Sequence, residues 1–171
     1  MALTGHQIID RAGKPFDIES YDAIMAVNVR GTLDLVRQVL PHLCRNAPLP
    51  PDGERGVVVL VASAAAYDGQ PGQVAYAASK GAIASLTLPM TRDVAEHGIR
   101  VVSIAPGPFQ TGMTAPMTEK IWKSLLRAAE FPRRAGQPPE FAALVKHIIE
   151  NSMLNGEVIR IDGGMRMTGK L

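Results

Sequence analysis

Apolar residues along this chain follow two kinds of pattern. From Asp17 to about Arg45, Ile18, Tyr21, Ile24, Met25, Leu35, Val36, Val39 and Leu40 recur at threes and fours, the spacing that puts side chains on one face of an α-helix. Asp17 can take up the first free amides as an N-cap, so one long amphipathic helix is predicted. The stretch NAPLPPDGERG is turn chemistry, and Val57, Val58, Val59, Leu60, Val61 and Ala62 after it form a continuous apolar run, which reads as a strand buried on both faces. A second helix is predicted over 74–97, ended by Gly98, the residue type best suited to a left-handed C-cap. Residues 99–105 form a second strand, stopped by Pro106-Gly107-Pro108. Residues 114–130 look helical, Pro138 and Pro139 open a helix over 140–151, and a last strand over 157–161 closes at Asp162-Gly163-Gly164. Residues 1–16, with Gly5, Gly13 and Pro15 and no period, form an irregular lead-in.

Helices alternating with continuously apolar strands, joined by long crossovers, imply an α/β fold with a parallel sheet wrapped by helices. Three strands make a small sheet, and the first exposes an apolar edge unless something pairs with it. At 171 residues the chain is one domain's worth, and 46% hydrophobic with 20% charged residues excludes disordered, collagen-like and rod-like classes. A formal charge of +2 with scattered basic residues leaves nucleic acid out of the expected partners. No apolar run approaches the roughly 18 residues of a membrane span, so no membrane partner is expected. Asp10, Asp17 and Glu19 make the start unlike a targeting peptide, so a cytoplasmic setting is expected. Cys44 is the only cysteine, which forbids an internal disulfide and agrees with a reducing compartment. His6, His42, His97 and His147 never pair at helical ligand spacing, so no metal site is expected.

The chemistry concentrates at the start of the second helix. Tyr76 and Lys80 stand four positions apart, on one face and one turn apart. An ammonium beside a phenol favours the phenolate, drawing a pKa of about 10 toward the range useful for moving a proton to or from an alcohol. Ser63, 13 positions before Tyr76, falls at the carboxyl end of the first strand, where open parallel sheets bind ligands, and its hydroxyl can hold a carbonyl oxygen. A tyrosine with a surface lysine one turn on is the plainer arrangement; the serine at a strand end favours catalysis. Asn28, taken alone, is a polar helix residue bonding to backbone.

At these residues the chain resembles the short-chain dehydrogenase/reductase family, from Asp17 to Met167. The segment ASAAAYDGQPGQVAYAASKGA holds Ser63, Tyr76 and Lys80 as the family holds its serine, tyrosine and lysine, and MAVNVRGT places Asn28 at the family's catalytic asparagine. The segment FPRRAGQPPEFAALVKHIIENSMLNGEVIRIDGGMRM narrows the likeness to members acting on 3-hydroxyacyl-CoA or hydroxysteroid-like molecules. The resemblance implies a partial Rossmann-type sheet and interconversion of a secondary alcohol and a ketone with NAD or NADP. It also implies a small hydroxyl or ketone substrate and a homo-oligomer. By the same resemblance Tyr76 exchanges the substrate proton, Lys80 lowers its pKa and holds the nicotinamide ribose, Ser63 orients the carbonyl, and Asn28 holds a water linking Lys80 to solvent. Pro106, Gly107, Phe109 and Thr111 match the family's Pro-Gly segment, whose backbone meets the carboxamide and whose threonine meets a phosphate. Asp162-Gly163-Gly164 also fits the family, but no chemistry is assigned to it.

Dinucleotide binding also needs a glycine-rich turn, where backbone amides and a helix N-terminus meet the pyrophosphate. Among sixteen glycines no two stand two apart, and the family's Asn-Asn-Ala-Gly segment is absent. No segment here matches the part of the family that discriminates NAD from NADP. The chain therefore reads as a single truncated Rossmann-like domain, with 1–16 a lead-in and 17–171 the catalytic half. The alternative is a catalytically inactive truncated paralogue or isoform acting as an interaction subunit: the resemblance implies pairing through the first two long helices, and the small Ala77, Ala78, Gly81 and Ala82 permit close approach.

Overall fold

The structure is a computed structural model that describes residues 7–115, 117–167 and 169; His6 and the rest of 1–6, and Pro116 in the predicted helix 114–130, lie outside them. Helix α1 (Ile18–Met25) starts as the sequence predicts: the Asp17 carboxylate accepts from the amides of Glu19 at 3.2 Å and Ser20 at 3.1 Å and from the Ser20 hydroxyl at 2.6 Å. The Ser20 hydroxyl, with these amides, holds the Asp17 carboxyl below its ordinary pKa. The helical run is not uniform, however. Ala26–Gly31 is a π-helical turn, after which α2 (Thr32–Leu43) resumes. A π turn adds a residue to the repeat, which the apolar spacing does not announce, since Met25, Val29 and Leu33 continue through it at fours.

Strand β1 (Gly56–Val61) pairs in parallel with β2 (Ile99–Pro106), from Gly56 with Ile99 to Val61 with Ile104; β2 pairs in parallel with β3 (Val158–Ile161), from Ser103 with Val158 to Pro106 with Ile161. The order is β1-β2-β3, and among the described residues no strand covers the outer edge of β1. Alternation along β2 builds two cores. Val101 and Ala105 pack with Val36 of α2 and with Ile83 and Met90 of α3 (Val74–Val94). Val102 and Ile104 face the other way, against Ile148 of α5 (Pro138–Glu150). Helices thus lie on both faces, and burial of the valine, isoleucine and methionine side chains at about 1.5–3 kcal/mol each holds the layers together. Polar groups inside are paired: the Thr87 and Ser103 hydroxyls meet at 2.6 Å.

Helix α3 passes through a short 3-10 turn to Gly98, which adopts the left-handed conformation (φ +68°) as its position predicts. Helix α4 (Glu119–Leu126) occupies only the middle of the predicted 114–130. The hydroxyl of Thr114 bonds to the Phe109 and Thr111 carbonyls, turn contacts that compete with helix at its predicted start. No helix among the described residues is long and apolar enough to cross a membrane.

Candidate active site

Ser63 follows β1 directly. Its backbone is extended, and its Oγ accepts from the Ala65 amide at 3.1 Å, capping the turn Ala64–Ala66. Tyr76 lies in the first turn of α3, partly buried, and its phenol shares a hydrogen bond with the Ser63 side chain. Lys80, one turn on, donates from Nζ to the Val61 carbonyl at 2.8 Å and sits 5.9 Å from the Tyr76 ring centroid. The strand end therefore holds the lysine from below while the serine meets the phenol.

The electrostatics differ from the expectation that Lys80 lowers the Tyr76 pKa. Burial pushes the Tyr76 phenol above its ordinary value, and the Ser63 hydrogen bond only works against this. Burial likewise pulls the Lys80 ammonium below its ordinary value. Desolvation penalises the charged form of each group, and it is the largest influence on both.

Asn28 occupies the π turn, and its side-chain amide donates to Ser79 Oγ at 3.0 Å. The Ser79 hydroxyl in turn donates to the Tyr76 carbonyl at 2.8 Å. Asn28 thus braces the first turn of α3 through Ser79, a residue that sequence reasoning missed. Its signal is a small polar residue between Tyr76 and Lys80, on the buried face that α3 shares among Ala75, Ile83, Thr87 and Met90.

Pro106 ends β2, and Gly107 continues toward β3 with its amide on the Ile161 carbonyl at 3.0 Å. A Cβ on Gly107 would lie 2.9 Å from the Cβ of Asp162, so this position requires glycine. The register aligns Val61 with Ile104; Ser63 and Pro106 each stand two residues further on, at the same end of neighbouring strands. Phe109 is a packing anchor: its ring lies on Gly136 and meets Phe141 edge-on at 5.9 Å. The Thr111 amide donates to Thr114 Oγ1 at 3.0 Å, and its side chain is exposed beside a cleft of about 640 Å³ lined also by Thr114, Trp122, Leu126 and Arg134. Thr114, buried and tying this loop to the Phe109 carbonyl at 2.7 Å, was not singled out from sequence.

The sequence profile of the short chain dehydrogenase family matches residues 5–122. Human 3-hydroxyacyl-CoA dehydrogenase type-2 is 46% identical over 157 residues, covering 92% of this chain and 60% of the relative. The crystal structure of 3-hydroxyacyl-CoA dehydrogenase type-2 from Mycobacterium avium superposes with a TM-score of 0.93 at 36% identity, over 99% of this chain and 65% of that one. A 7α-hydroxysteroid dehydrogenase complexed with NADH and 7-oxo glycochenodeoxycholic acid gives a TM-score of 0.79 at 26% identity, over 91% of this chain and 59% of that one. The chain spans about 60% of the length of such curated relatives. With this profile covering most of its length, the chain belongs to the short-chain dehydrogenase family.

Proposed function

We propose that this chain carries the proton-handling half of an oxidoreductase that interconverts a secondary alcohol and a ketone. The observation that carries the reading is the meeting of Ser63, Tyr76 and Lys80 at the carboxyl end of β1. A 3-hydroxyacyl-CoA or hydroxysteroid-like substrate is favoured by the relatives named for such substrates.

The residues fit a nicotinamide nucleotide on its nicotinamide side. Lys80 keeps donors beyond its single bond to Val61, and no carboxylate among the described residues pairs with it. One turn away stands the Tyr76 hydroxyl, so together they suit the vicinal hydroxyls of a ribose. The backbone at Pro106, Gly107 and Phe109 and the Thr111 hydroxyl would hold the carboxamide and a phosphate. When bound, NAD or NADP supplies the hydride that no side chain can carry.

The chain's own residues do the rest. Ser63 holds the substrate oxygen beside the phenol. Tyr76, whose neutral form burial favours, is poised to give its proton to that oxygen as it gains charge, and takes one back in the reverse direction. Lys80 stabilises the phenolate left behind. Asn28 and Ser79 hold the first turn of α3, and with it Tyr76, at a set distance from Ser63.

The test is fluorescence titration of the purified chain with NADH and NADPH, then turnover of acetoacetyl-CoA. Sub-millimolar binding with turnover supports the reading; neither at millimolar nucleotide refutes it for this chain. A second reading, an interaction subunit that pairs with copies of itself, is favoured by Ile18, Val27 and Leu35, large apolar side chains exposed along α1, the π turn and α2. Gly81 faces open space, whereas Ala77 packs against Gly69. A strictly monomeric species in sedimentation velocity refutes this second reading.

A further inference from the structure

We propose that Arg160 is a positioning residue whose guanidinium, clasping Asp68 and Asp162, sets the spacing between the Ser63–Tyr76 side of the candidate site and its Pro106–Gly107 side. This rests on the function proposed above and adds a residue to it.

Arg160 stands on β3, separated from β1 by β2. Its register partner on β2 is Ala105, fully buried and only a methyl, which leaves room for a long side chain to pass over the end of the central strand. Nε donates to Asp162 Oδ2 at 2.6 Å, and Nη2 donates to Asp68 Oδ2 at 2.5 Å and to the Met165 carbonyl at 2.8 Å. The guanidinium also lies 5.4 Å from the centre of the Tyr67 ring. The three charged side chains are 21%, 15% and 6% exposed for Arg160, Asp68 and Asp162, so solvent screens them weakly.

Each end of the clasp is tied to one side of the site. The Asp68 amide donates to the Ala64 carbonyl at 3.0 Å, at the end of the turn that Ser63 caps. Asp162 packs its Cβ against Gly107 and accepts from the Gly164 amide at 3.1 Å, while the next carbonyl, Gly163, accepts from Glu130 and Phe131. Two carboxylates share one cation, and Arg160 is the ion-pair partner of both among the described residues. Without it two like charges face each other, and the segments bearing Ser63 and Gly107 lose the bridge across β2. A planar fork suits this task because it fixes direction as well as charge.

The experiment compares wild-type chain with Arg160→Gln, Arg160→Lys and Asp68→Asn by amide hydrogen exchange, thermal melting and steady-state kinetics with NADH and acetoacetyl-CoA. Exchange in Arg160→Gln should rise about tenfold over 63–73 and 162–165 and stay unchanged in β2 and α5, since local opening is decoupled from the global one. Turnover should fall about 100-fold in kcat, as expected for misplaced groups, with a smaller change in KM. In Arg160→Lys the melting temperature should recover while kcat stays low; recovery of both together would mean the bridge is merely structural and overturn the proposal. Exchange that is unchanged, or raised evenly throughout, overturns it as well. Should wild type show no turnover, the function proposed above fails, and the exchange patterns still decide the role of Arg160. If Arg160→Gln does not fold, Asp68→Asn decides the matter, with the same rise over 63–73 expected and its absence refuting.

Discussion

Arg100 is a cation inside the sheet, and removing it should cost more than any surface ion pair. It lies on β2 with its side chain 7% exposed. Nε and Nη2 donate to the two carboxylate oxygens of Glu54 at 2.8 and 3.0 Å. Nη1 donates to the carbonyls of Ile148 at 2.9 Å, Asn151 at 3.3 Å and Leu154 at 2.9 Å, and Nη2 also reaches Ile149 at 3.1 Å. The guanidinium therefore closes the C-terminal end of α5, where carbonyls lack intrahelical partners, and pairs a carboxylate that is itself 19% exposed. Arg100→Met keeps much of the volume but strands Glu54 and these carbonyls, and breaking a buried pair from one side costs about 3–5 kcal/mol. At about 2–4 °C per kcal/mol for a chain of this size, melting should fall by roughly 6–20 °C. Urea unfolding of Arg100→Met, Glu54→Gln and the double variant measures the effect. Because Glu54→Gln removes the charge that Arg100→Met leaves stranded, the double variant should lose clearly less than the two single losses added. A loss below about 1 kcal/mol in Arg100→Met, or strict additivity, would refute the reasoning.

Tyr76→Phe should leave melting nearly unchanged and reduce turnover by about 10²–10⁴-fold, measured with NADH and acetoacetyl-CoA; unaltered turnover removes Tyr76 as the acid. The phenol's raised pKa favours the neutral form in the folded chain, so its contribution to stability is fully present below pH about 10 and lost as pH rises through the raised value. Chemical denaturation across alkaline pH, compared with Tyr76→Phe, should show a steeper loss in wild type. The Glu140 carboxyl, held down to about 2 chiefly by the Arg134 guanidinium and also by the Gln137 amide, should titrate there by carboxyl NMR and return toward 4.5 in Arg134→Gln; the support it lends is present above pH 4.5 and lost as pH falls through about 2. Gly98→Ala forces a side chain into a left-handed residue at φ +68°, with its Cβ 2.6 Å from the Gly53 carbonyl oxygen, and should cost about 2 kcal/mol or more in urea.

The pattern of residues by itself determined the class of this fold. Period 3.6 after Asp17, the continuous apolar run in β1, the largely apolar stretch of β2 and Gly98 as a C-cap are local signals, each set by what one segment can do with its own backbone. The same locality made Tyr76 and Lys80 legible, because four residues on a helix is one turn wherever the helix sits. Ser63 was legible through its place at a strand end.

Only the tertiary structure decided what these residues face. The π turn that presents Asn28, the Ser79 hydroxyl that receives it, and the direction of the Tyr76 shift depend on segments far apart in sequence meeting and excluding water. Burial is a property of all neighbours at once and leaves no mark on spacing, so a phenol expected to be pulled down by its lysine is pushed up instead. Arg160 and Arg100 behave in the same way. Each is one basic residue in an apolar strand, and its meaning comes from carboxylates and carbonyls that the fold delivers from other elements.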